Sequence, residues 1–158
     1  MSEAANSPCK AGDTLLTVGW REWVGLPGLG IPRIKAKVDT GARTSALHAS
    51  HVRFVRRGGK RIVKFRVSPE QRNDRDFVEV EGEWVEERKV RSSSGAVSLR
   101  PVIRTEVQVG EWRWPMELTL TRRDSMGFRL LLGREALRGR CVVDPGASFL
   151  AGSTPRPR

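Results

Sequence analysis

The chain has few of the residues on which metalloproteins, disulfide scaffolds and membrane proteins are built. Its 158 residues hold two cysteines, Cys9 and Cys141, far apart, with no Cys-x-x-Cys knuckle and no spacing for a disulfide framework. His48 and His51 are the only histidines, an i, i+3 pair without the Glu of a His-Glu-x-x-His zinc helix. No metal and no cofactor are expected from so small a ligand set. The chain also lacks a Gly-x-x-x-x-Gly-Lys-Ser/Thr loop for nucleotide phosphates and a Gly-x-Ser-x-Gly elbow for a serine nucleophile. No apolar run approaches the roughly 20 residues of a membrane span. The opening MSEAANSPCKAGD has no basic segment leading into an apolar one. A cytoplasmic protein without a membrane partner is the expectation.

What the chain has in excess is positive charge, a formal +11 carried mostly by arginine. Arginine forks grip carboxylates and phosphates in bidentate geometry, which points to an acidic partner. The arginines are scattered through strand-like stretches and form no block, which argues against a dedicated nucleic-acid arm.

The length suits one domain, read as 14–150 between polar, mobile tails at 1–13 and 151–158. Short β-rich runs follow one another with turn punctuation between them. Thr14–Trp23 is broken by Gly25-Leu26-Pro27-Gly28-Leu29-Gly30, and Ile34–Val38 follows. His51–Arg57 and Lys60–Val67 flank Gly58-Gly59, a hairpin signal. Phe77–Val80 and Trp84-Val85 alternate about Gly82, and Val97–Val109 faces Trp112–Thr121 across Gly110-Glu111. The single helical candidate is Arg134–Arg138. The fold class is therefore all-β, a barrel or sandwich with one short C-terminal helix.

Two segments carry chemistry. Val38-Asp39-Thr40-Gly41-Ala42 places a carboxylate, a small hydroxyl and a glycine at the end of a strand. Such a triplet also makes an ordinary turn. A catalytic carboxylate site needs a second acid, because two carboxylates in one site share a proton while one activates water. About ninety residues downstream, Phe128-Arg129-Leu130-Leu131-Leu132-Gly133-Arg134-Glu135-Ala136-Leu137 runs an apolar strand into a glycine and a helix start. No second Asp-Thr-Gly exists in the chain.

In these segments the sequence resembles the retropepsin-like aspartic proteases. KVDTGARTSALHA, KVRSSSG with VIRTEVQVG, and RRDSMGFRLLLGREAL bring it nearest to a bacterial branch labelled "ATP-dependent zinc protease". The resemblance implies a closed retropepsin-like barrel acting as a homodimer. It makes Asp39 catalytic, Thr40 a grip between paired loops, and Gly41 a substrate-facing stretch of backbone. Leu132 and Gly133 would buttress that loop, and Arg134 would open the helix. Ala42, Arg43 and the hairpin end Arg91, Ser92, Ser93, Ser94 and Gly95 would bind substrate, with Lys89–Ala96 as the flap. Arg43 departs from the pattern, since viral members carry an acid there that pairs with the arginine after the glycine. A swapped pair, Arg43 with Glu135, would take its place.

The resemblance also implies a neighbourhood, since genes of this branch often lie beside ligases that add glutamates to proteins. The expected activity is an aspartic-type endopeptidase acting on peptides or proteins, with acidic or glutamate-rich ones the fitting class. The alternative is a non-catalytic module on the same scaffold that binds acidic peptide tails or nucleic acid.

Overall fold

The computed structural model describes residues 15–69, 77–91, 94–122 and 127–151. The apolar run read as one strand is two, β1 (Leu16–Val18) and β2 (Arg21–Leu26), parted at Gly19. A side chain at Gly19 would overlap the Ala147 carbonyl, so this break is where the C-terminal segment packs against the barrel. A 3-10 turn (Pro27–Leu29) leads into β3 (Ile31–Val38), followed by β4 (Ser45–His48) and β5 (Ser50–Arg57). β6 (Lys60–Val67) returns from β5 through Gly58 and Gly59, whose φ values of 60° and 80° are those of a left-handed two-residue hairpin turn.

Two long strands, β7 (Val78–Arg91) and β8 (Val97–Val109), form a hairpin, and β9 (Trp112–Thr121) pairs back on β8. The runs on either side of Gly82 are a single strand. The chain ends with β10 (Leu130–Leu132), the helix α1 (Arg134–Leu137) and β11 (Cys141–Val143), which pairs in parallel with β1.

The main sheet runs β2-β3-β10-β4-β9-β8, and a pairing of Gly25 with Gln108 joins β8 back to β2. Six strands thus close into a barrel, while β7, β6 and β5 extend the sheet beyond it. Inward residues alternate along the strands: Val24, Ile34, Leu47, Phe65, Ile103, Leu118 and Leu130 are all fully buried. One pairing sets the position of the site. β10 lies between β3, to which it runs parallel, and β4, to which it runs antiparallel. The chain leaving β3 must therefore cross the end of β10 to reach β4.

A buried carboxylate ties the C-terminal segment to the barrel near the end of β3. Glu22 is fully buried and accepts hydrogen bonds from the backbone N–H groups of Gly19 (2.6 Å), Leu150 (2.8 Å) and Ala151 (3.2 Å). It pins residues 150–151 to the start of the barrel. Burying a carboxylate is unfavourable unless it is hydrogen-bonded, and three backbone donors engage both of its oxygens. Glu22→Ala strands those donors and should lower stability in denaturant melts by about 3 kcal/mol or more. Glu22→Gln, which keeps one acceptor oxygen, should lose less.

Candidate active site

Asp39 is the first residue beyond β3, at the point where the chain begins to cross β10. The crossing is fastened from below by backbone. The Asp39 N–H donates to the Leu132 carbonyl at 2.9 Å, continuing the β3–β10 ladder by one step. On the return side, Arg134 N–H donates to the Ala42 carbonyl (2.7 Å) and Glu135 N–H to the Arg43 carbonyl (3.1 Å). The first turn of α1 thus directs its otherwise unpaired N–H groups at the loop that carries Asp39.

Gly133 sits where the two segments touch. A Cβ there would lie 2.6 Å from both the carbonyl carbon and oxygen of Thr44, and 2.9 Å from the Ala42 oxygen. All three are backbone atoms, so the space cannot be relieved by turning a side chain. Ser45, which sequence reasoning passed over, completes the fastening. Its hydroxyl accepts the Gly133 N–H (3.0 Å), and its carbonyl accepts the Thr119 hydroxyl (3.0 Å). Trp114 holds α1 from the barrel side by donating its indole N–H to the Ala136 carbonyl at 2.9 Å.

Within the loop, the Asp39 carboxylate folds over its own backbone. Its Oδ1 accepts from Gly41 N–H (2.9 Å) and Ala42 N–H (3.2 Å), an Asx-type turn. The ordinary-turn reading and the catalytic reading of Asp-Thr-Gly therefore describe the same geometry, a turn that aims one carboxylate. Asp39 is half-buried, whereas Thr40 and Gly41 at the loop tip are exposed. A Cβ on Gly41 would come within 3.2 Å of the carboxylate oxygen.

Arg134, first residue of α1, donates from its guanidinium to the Thr40 carbonyl at 3.0 Å. A backbone carbonyl thus receives the arginine where viral members supply an acid. Arg43 and Glu135 stand 3.9 Å apart with side chains 78% and 45% exposed, a pair too open to contribute much. Glu135 has a closer cation in Arg138, at 3.3 Å.

A cleft of about 1650 Å³ opens beside Asp39, between its loop and the β7–β8 hairpin. Gly41, Ala42 and Arg43 line one side and Arg91 the other. Ser94 and Gly95 stand exposed near the hairpin turn, Gly95 with φ 89°. Ser92 and Ser93 lie outside the described residues. Val97 and Leu99, 53% and 59% exposed, pair with Arg91 and Lys89 and give the hairpin an uncovered face, half apolar and half cationic.

The cleft is predominantly positive, with seven Lys and Arg side chains in its lining against four Asp and Glu. Arg88 is committed internally: it donates to Glu86 (2.7 Å) and Glu117 (2.8 Å), and the Glu117 contact above all pushes its guanidinium further above its already high range. Lys37, Arg88, Arg100, Arg104 and Glu117 reach this cleft unannounced by any motif. Only cross-strand register, such as Arg88 opposite Arg100 and Arg104 opposite Glu117, brings them together. Among the described residues, no three of His, Cys, Asp and Glu gather to hold a metal ion, and no helix is long and apolar enough to cross a membrane.

Residues 17–154 match the RimB-like family, described as "Retropepsin-like aspartic endopeptidase RimB". A protein of Shewanella halifaxensis named "Probable alpha-L-glutamate ligase" is 44% identical over 140 residues, 89% of this chain and 31% of that one. A protein of the same name from Parasynechococcus marenigrum is 51% identical over 138 residues, 87% of this chain and 29% of that one. The chain thus spans about a third of the length of these curated relatives. Among solved structures, protein Lpg0085 of Legionella pneumophila, whose function is described as unknown, superposes with a TM-score of 0.73 at 27% identity. The match takes in 87% of this chain and 99% of that one.

Gly133→Ala tests whether the crossing is as tight as it looks. The substitution should cost about 2–3 kcal/mol in denaturant melts. Ser45→Ala, which removes one acceptor and leaves the space unchanged, should cost about 1–2 kcal/mol.

Proposed function

The chain belongs to the RimB-like family of retropepsin-like aspartic endopeptidases, and on that premise we propose that it is an aspartic-type endopeptidase working as a homodimer. Each copy contributes one Asp39 to a shared dyad at a two-fold axis. The observation that carries this reading is the fastening of the Asp39 loop across β10, with its tip at Thr40 and Gly41 left uncovered. A rigid loop with an exposed tip suits close approach by its own copy, and one chain holds one Asp-Thr-Gly.

In the proposed reaction the two carboxylates hold one proton between them. The ionised carboxylate takes a proton from water as the water oxygen attacks the peptide carbonyl carbon. The protonated carboxylate gives its proton to the carbonyl oxygen. The resulting diol collapses, a proton passes to the amide nitrogen, the C–N bond breaks, and acid and amine leave. No covalent intermediate forms.

Acidic or glutamate-rich peptides are the substrate class proposed. The positive cleft supports this, since a substrate carrying carboxylates would meet a complementary field. The two relatives named as probable glutamate ligases support it as well, because a domain joined to glutamate addition fits a partner that handles glutamate-bearing chains. The alternative of a non-catalytic module foresees binding without turnover, and one assay separates the two. Asp39→Asn should lower hydrolysis of a glutamate-containing reporter peptide by roughly 10²–10⁴-fold, with the denaturation midpoint little changed. Hydrolysis at the wild-type rate by that variant removes Asp39 from the chemistry.

A further inference from the structure

Alternate residues of β3 point to the same face, and from Arg33 onward that face is one of charge. Ile34, Ala36 and Val38 are buried in the barrel, which leaves Arg33, Lys35 and Lys37 on the outer side. The next residue in this alternation is Asp39. Strand geometry spaces the three cations roughly 6.7 Å apart in a row that runs toward the Asp39 loop. Lys37 already belongs to the cleft lining, so the row is continuous with the site.

The neighbouring strand reinforces it. Arg21 lies opposite Lys37, and Trp23 opposite Lys35. The Arg33 guanidinium stacks 3.8 Å above the Trp23 ring, and Lys35 Nζ stands 5.2 Å from the same ring. Phe149 stacks on Trp23, and the Arg21 guanidinium lies over the rings of Trp20 and Phe149. Stacking on an aromatic face fixes a guanidinium and leaves its in-plane N–H groups free to donate. Among the described residues, none of Arg21, Arg33, Lys35 and Lys37 forms an ion pair with an acid. The sheet around β5–β7 is the contrast: there Arg53, Arg57, Lys64 and Arg66 are all matched across strands by Glu79 and Glu81. The β3 row has no such internal partners.

We infer that the outer face of β3 is an exosite, a cationic track that receives an extended acidic polypeptide and leads it to Asp39. An extended peptide presents alternate side chains at the same spacing as β3, so successive same-side carboxylates of a glutamate-rich segment fall in step with Arg33, Lys35 and Lys37. Nucleic acid suits the face less well, because Arg33 covers the Trp23 ring that an unstacked base would need. The inference rests on the proposed acidic substrate class and adds the surface that selects it. Lys37 and Lys35 are specificity residues in this scheme, and the bond is broken elsewhere, at Asp39.

The test uses the full chain in its Asp39→Asn form, so that the probe is not consumed, and fluorescence anisotropy with a labelled octaglutamate. Adding Lys35→Gln and Lys37→Gln should weaken binding about fivefold. Arg56→Gln with Lys60→Gln removes the same charge from the β5–β6 hairpin, away from the track, and should leave affinity within about twofold of the parent. Equal loss in both double variants would overturn the track while leaving the acidic substrate class standing. No measurable binding of octaglutamate by the parent would instead remove that class and the track with it. Preferential binding of a single-stranded oligonucleotide of equal charge, lost on the same two substitutions, would assign the face to nucleic acid and overturn the inference.

Discussion

The architecture depends on a strand inserted where the chain would otherwise turn. β3 and β4 are consecutive, but β10 lies between them, so the connecting loop must cross two strand spacings, about 10 Å, over the end of β10. That crossing brings backbone against backbone at Gly133, where no side chain fits. Donors from both segments are satisfied by the contact: Asp39 to Leu132, Gly133 to Ser45, Arg134 to Ala42 and Glu135 to Arg43. A carboxylate carried on such a loop has little freedom of its own. Preorganisation of this kind is what acid–base chemistry requires, since a group that must be ordered during the reaction raises the barrier.

Charge is distributed with a division of labour. On the β5–β7 face, basic and acidic side chains are interleaved, and hydrogen bonds from Arg53 and Arg57 hold the carboxyl groups of Glu79 and Glu81 below the usual range. Those arginines are used up in the sheet. Around the cleft and along β3 the cations outnumber the acids, and the excess positive field is left facing solvent. The formal charge of +11 is thus no uniform coating. Part of the excess lies in the cleft lining and along β3.

Much of this was legible in the residues, for identifiable reasons. Gly58-Gly59 and Gly110-Glu111 mark turns by chemistry that depends on nothing distant, and the strands they join, β5–β6 and β8–β9, were readable nearly to the residue. The all-β class followed from short strands at turn-marked spacing, and the closed barrel, the Asp39 loop and its Gly133 support from a resemblance in short motifs. What stayed hidden depends on register between distant segments. Ser45 is one small polar residue among several until β10 arrives beside it, eighty-eight positions later in the chain. Gly19 looks like a flaw in a continuous strand until the C-terminal segment is seen packed against it. Glu22 carries no sign of its burial, because its three donors come from Gly19, Leu150 and Ala151. Arg88, Arg100 and Arg104 look like surface charge until the pairing of β7 with β8 is known.

The central claim is that two identical loops supply one dyad. It is tested most directly by mixing wild-type chains with increasing fractions of Asp39→Asn chains, allowing copies to exchange, and measuring peptide hydrolysis against the wild-type fraction. If each active unit needs both aspartates, activity per total chain falls with the square of the wild-type fraction. Activity in simple proportion to that fraction would mean that one Asp39 suffices, and would contradict the account.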